Sequence, residues 1–66
     1  MPVATEERDY EAAGLMIDRL RRKGLTVHAA DALIATVTMR AGARLVTTDP
    51  DFRAIAAHEA LNLVEP

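Results

Sequence analysis

Apolar and polar positions follow a helical period through the first two thirds of the chain and then shorten. From Glu6 to Lys23, Tyr10, Ala13, Gly14, Ile17 and Leu20 recur at intervals of three and four, the spacing of one buried helical face. Thr5 offers an N-cap, and Glu6 and Glu7 suit the positive end of the helix dipole. Arg21, Arg22 and Lys23 suit its negative end before Gly24. Leu15 and Met16 fall outside the stripe, so this helix has more apolar surface than one neighbour covers. Beyond the connector Leu25-Thr26-Val27, a second helix is predicted from His28 or Ala29 to Ala41, with Ala30, Leu33, Ile34, Val37 and Ala41 on its core side.

A strand over Arg44 to Thr47 follows, then the turn Thr48-Asp49-Pro50-Asp51. A short third helix from Phe52 to about His58 leads to a last strand, Leu61-Asn62-Leu63-Val64. The helix-helix-strand-helix-strand order indicates α/β layering with parallel strands. Parallel sheets are normally covered on both faces and contain more than two strands. The expectation is therefore that part of the domain is absent, most simply a segment upstream of Met1; a partner chain is the other way to supply it.

Composition narrows the picture. Sixty-six residues make at most one domain, and a chain of that size buries only about 60% of its unfolded surface. There is no cysteine, which removes disulfides and thiolate zinc as sources of stability. Hydrophobic residues at 50% and charged ones at 27% argue against disorder, yet many of the former are alanines, and one Tyr, one Phe and no Trp leave few large anchors. A net charge of -2 gives no overall attraction to nucleic acid, so such binding needs a local patch. No signal peptide is visible after Met1-Pro2-Val3, and no apolar run approaches the ~20 residues that span a bilayer, so a cytoplasmic location without membrane contact is expected.

The candidate chemistry centres on Asp31 and Asp49. A helix from Asp31 to Ala41 descends about 15 Å at 1.5 Å per residue, and a strand from Ala43 to Thr48 climbs about 16 Å. With Gly42 marking the reversal, the two carboxylates should return to one edge of the sheet, where open α/β folds place ligands and where oxygen donors suit hard divalent cations. A purely structural reading stands beside this one. Asp31 suits a first helical turn, and Asp49-Pro50 has the form of an N-cap followed by proline at the first helical position, with Asp51 adding favourable charge. Arg19, Arg21, Arg22 and Lys23 offer phosphate contacts, although a basic last turn also serves the helix dipole. His28 stands three residues before Asp31 and reads as a cap or surface residue; His58 has only Glu59 nearby and reads as structural. Gly24 and Gly42 read as C-cap glycines, not as a phosphate loop.

Ala29-Ala30-Asp31-Ala32-Leu33-Ile34-Ala35, followed by Gly42-Ala43-Arg44-Leu45-Val46-Thr47-Thr48-Asp49-Pro50-Asp51-Phe52, resembles the C-terminal portion of a PIN domain, in particular the VapC toxins of type II toxin–antitoxin systems. The likeness covers about residues 10 to 64. It implies a three-layer α/β/α domain with a parallel sheet, of which residues 1–66 would be a part lacking the N-terminal strand and early helices. It further implies a magnesium- or manganese-dependent endoribonuclease whose acidic cluster holds the metal, activates water and neutralises charge on the scissile phosphate. On that matching, Asp31 and Asp49 are catalytic metal ligands, Asp51 is an auxiliary metal ligand, and Thr47 orients a carboxylate or water. RNA, a cognate antitoxin and a second copy of the chain are the implied partners. The family pattern also requires an Asp after an N-terminal strand and a Glu on an early helix. Glu6, Glu7, Asp9 and Glu11 do not replace them, because they belong to the helix preceding the motif. The expectation is a truncated copy, remnant or C-terminal fragment with an incomplete site. Two alternatives remain: a non-catalytic module for oligomerisation or antitoxin binding, and a small α/β domain unrelated to nucleases.

Overall fold

A computed structural model describes residues 4–66. The readings that fall on Met1, Pro2 and Val3, a missing leader and an internal start, lie outside the described residues. Helix α1 spans Glu7–Arg22, α2 Ala29–Arg40 and α3 Pro50–Ala56; strand β1 is Leu45–Val46 and β2 is Leu63–Val64. The order matches the sequence pattern, and the fold is mixed α/β with helix predominating.

Local chemistry sets the boundaries. The N-cap of α1 is Glu6, not Thr5, because Asp9 at the third helical position accepts the Glu6 backbone N–H at 2.8 Å. At the other end Gly24 takes φ of 84°, its N–H donates to Arg21 O, and the Leu25 N–H donates to Leu20 O. That pair of bonds is a Schellman motif. Gly42, with φ of 63°, closes α2 in the same way, the N–H groups of Gly42 and Ala43 reaching the carbonyls of Met39 and Thr38.

The two strands pair in parallel, Leu45 opposite Leu63 and Val46 opposite Val64. The Leu45 N–H donates to Asn62 O at 2.9 Å and the Thr47 N–H to Val64 O at 3.1 Å. Both strands are shorter than the four-residue runs predicted, since each has a single neighbour to pair with among the described residues. Alternation along β1 turns the backbone N–H and C=O of Val46 away from β2, and Val46 is 62% exposed.

The core consists of Ala13, Met16 and Leu20 of α1, Ala32 and Ala35 of α2, Phe52 and Ile55 of α3, and Leu61. It departs from the predicted stripes. On α1 the buried side is centred on Asp9, Ala13, Met16 and Leu20, while Tyr10 is 62% exposed. On α2 the buried side is Ala32, Ala35 and Thr36; Ala30, Ile34 and Ala41 are exposed and Leu33 and Val37 only half-buried. The cause is that both helices are apolar on more than one side, and a molecule of 35 × 30 × 16 Å covers only one of them.

Candidate acidic site

Asp49 sits beyond the carboxyl end of β1 as the N-cap of α3. Its Oδ1 accepts the Asp51 N–H at 2.9 Å, with Pro50 at the first helical position. Its own N–H donates to Thr47 Oγ1 at 3.0 Å. The capping function expected of Asp49-Pro50 is thus realised, and the Thr47 hydroxyl fixes the backbone of Asp49. The Asp49 and Asp51 side chains are both exposed. Asp31 occupies the first turn of α2 and is half-buried. No hydrogen bond or ion pair joins its carboxylate to another described residue.

The donor chemistry of these acids suits a hard cation, since Asp31 keeps both oxygens and Asp49 keeps Oδ2. The number does not suffice. Among the described residues no three acidic or histidine side chains gather to hold a metal ion, so the set is at most part of a site.

The best-organised charges lie elsewhere. Asp9, 1% exposed, accepts Arg40 Nε at 2.7 Å on Oδ1 and Arg40 Nη2 at 3.0 Å on Oδ2. Arg40 also donates from Nη2 to Ala4 O at 2.7 Å and faces Glu6 at 3.2 Å. The Arg40 hydrogen bonds hold the Asp9 carboxyl below the usual range against the opposing effect of burial, and they raise Arg40 in turn. This clamp joins the first turn of α1 to the last turn of α2. It also removes Asp9 from metal binding, since both its oxygens are engaged. The legible signal for it was a lone acid in phase with Ala13, Met16 and Leu20.

The basic group divides. Arg19 is committed to Glu59, with Nη2 donating to Oε1 at 2.6 Å and Nε to Oε2 at 3.3 Å, and that bonding raises its pKa. Arg22 pairs with Asp18 at 2.9 Å. Arg21 and Lys23 are exposed and form no ion pair among the described residues. His28 is the N-cap of α2 without a side-chain cap bond, and His58 is exposed. Thr36 Oγ1 is buried with no hydrogen-bond partner among the described residues. Among those residues, no helix is long and apolar enough to cross a membrane. Neither a protein-family model nor a curated protein matches the sequence.

Proposed function

We propose that this chain is the C-terminal part of a PIN-like, VapC-like metal-dependent endoribonuclease domain, catalytically incomplete in these 66 residues. The observation that carries the reading is the parallel β1–β2 pair with α3 as its crossover, which sets Asp49 beyond a strand's carboxyl end, the ligand-binding position of open α/β sheets. The unengaged carboxylate of Asp31 and the open backbone edge at Val46 fit the same reading. One is a ligand without its full set, the other a strand awaiting a neighbour. In this proposal Asp31 and Asp49 supply two carboxylates, Asp51 lies close by, and further acids come from outside the 66 residues. Bound magnesium or manganese would supply an activated water and charge neutralisation at phosphate.

The test is a cleavage assay on RNA with magnesium or manganese, run on this chain beside a version extended upstream through an apolar strand ending in Asp and a helix carrying Glu. The 66 residues should not cleave. The extended protein should, and Asp31→Asn or Asp49→Asn should abolish its activity. An extended protein that is inactive, or whose activity ignores both substitutions, refutes the assignment. The alternative, a module for oligomerisation or antitoxin binding, is favoured by the exposed apolar side of α1 and α2.

A further inference from the structure

Two of the helices are closed at their N-terminal ends by an acid. On α1 the Asp9 carboxylate accepts the Glu6 N–H at 2.8 Å, and on α3 the Asp49 Oδ1 accepts the Asp51 N–H at 2.9 Å. Helix α2 has the same means of closure and does not use it. Asp31 holds the position in α2 that Asp9 holds in α1, third after the N-cap, yet its carboxylate bonds to no described residue. The N-cap itself is His28, which is exposed and whose imidazole makes neither a cap bond nor an ion pair among the described residues. Ser, Thr, Asp and Asn close a helix at this position, and a helix that lacks them is less stable. A local rule broken with no structural return marks a functional position.

The charges at this end of the molecule indicate what binds there. The Asp9–Arg40 clamp joins the first turn of α1 to the last turn of α2, and the connector from Lys23 to His28 closes the other end. The helices are therefore antiparallel, and the last turn of α1 lies beside the first turn of α2. Arg21 in that turn and Lys23 at its cap are exposed and without an ion pair among the described residues. Arg8, Arg19, Arg22, Arg40 and Arg53 are each matched to an acid. Two uncommitted cations and a free imidazole thus flank Asp31 in a chain whose net charge is -2. A phosphate diester beside a cation on Asp31 meets all of these groups.

We propose that His28 contacts the substrate of the proposed nuclease, its imidazole N–H donating to a non-bridging oxygen of the phosphodiester held at Asp31. The inference rests on the nuclease reading and adds a residue outside the acidic set. The N-cap and the third helical position are the two that bond reciprocally in a capping box, so side chains at His28 and Asp31 reach one ligand. Imidazole offers an N–H donor in its neutral and its charged form alike, so the contact does not depend on titration of His28.

Steady-state cleavage of RNA by the upstream-extended protein with magnesium, together with thermal denaturation of the 66-residue chain, tests the assignment. His28→Ser supplies a better N-cap and should raise the melting temperature. In the extended protein it should lower kcat/KM roughly tenfold to a hundredfold, mainly through KM, the worth of a hydrogen bond to a charged acceptor. His28→Gln keeps an N–H donor and should retain most of the activity. Manganese affinity in calorimetry should be the same for both variants and the wild type, because the carboxylates are untouched. An extended protein that cleaves, requires Asp31 and Asp49, and ignores His28→Ser overturns this inference alone; one that does not cleave removes the nuclease reading with it. Equal impairment by Ser and Gln, or manganese affinity that falls with His28→Ser, overturns the phosphate contact. A Ser variant that loses activity and melting temperature together shows His28 to be a structural cap.

Discussion

A carboxylate that is removed from water and held by a guanidinium on both oxygens stabilises the native state only while it is ionised. Asp9 is that group. Its native pKa lies below the ordinary 3.8, chiefly through the Arg40 hydrogen bonds, so the unfolded chain binds its proton more readily. Its contribution is complete above the ordinary value and is lost as the pH falls from 3.8 through the lowered native value. Denaturant midpoints measured from pH 6 to pH 2 should fall over that interval, and Asp9→Asn should flatten the decline while lowering the midpoint at neutral pH. Asp49 calls for a different separation of roles. Asn caps a helix as well as Asp, and Ala does not. Asp49→Asn should therefore leave stability unchanged and Asp49→Ala should cost about 0.5–2 kcal/mol, as read by thermal denaturation. If the acid is also a cation ligand, both variants should lower manganese affinity equally in calorimetry on the upstream-extended protein.

Elements were legible where their ends carry their own chemistry. Gly24 and Gly42 announce C-caps, Asp49-Pro50 announces the start of α3, and each is in place. Gly42→Ala should cost about 1–2 kcal/mol, the price of a side chain in the left-handed region that φ of 63° demands. No steric clash adds to it, as a Cβ there meets nothing within 4 Å; an unchanged melting temperature would show the turn to be adaptable. Which face of each helix is buried was less legible, for a physical reason. Periodicity reports where apolar side chains lie, not which of two apolar sides the chain itself can cover. On α1, Met16 falls outside the strongest stripe yet is 1% exposed, because it shares a side with Ala13 and Leu20 and with the Asp9 carboxylate held by Arg40. On α2, Ala32 and Ala35 win burial over Ile34, since small side chains let α3 and α1 come close to the helix. The Asp9–Arg40 clamp spans 31 positions, a separation at which local pattern carries no information about pairing. The acids of the candidate site were easy to single out by residue type and neighbours, but residue type does not report whether side chains gather, and among the described residues no three acidic or histidine side chains do so to hold a metal ion.

The whole molecule exposes more surface than its mass warrants. A monomer of 7.2 kDa is expected to present about 4,100 Å² by the usual scaling, and this chain presents 4470 Å². A slab 16 Å thick has two broad faces and little interior. A domain of this length has a total stability of about 3–10 kcal/mol, so the small core must carry most of it. Leu20 and Ile55, both 0% exposed, are its fully enclosed aliphatic anchors. Replacing either by Ala should cost about 2–5 kcal/mol, enough to abolish the cooperative transition or leave only its tail in a urea titration. Tyr10→Ala gives the contrasting case, since a side chain 62% exposed contributes little to the isolated fold. In dilute solution its unfolding curve should overlay that of the wild type, whereas at high protein concentration, where association adds to stability by mass action, the wild type alone should shift to higher midpoints. A Tyr10→Ala variant as unstable as Leu20→Ala at every concentration would show that the open face belongs to the core of the single chain.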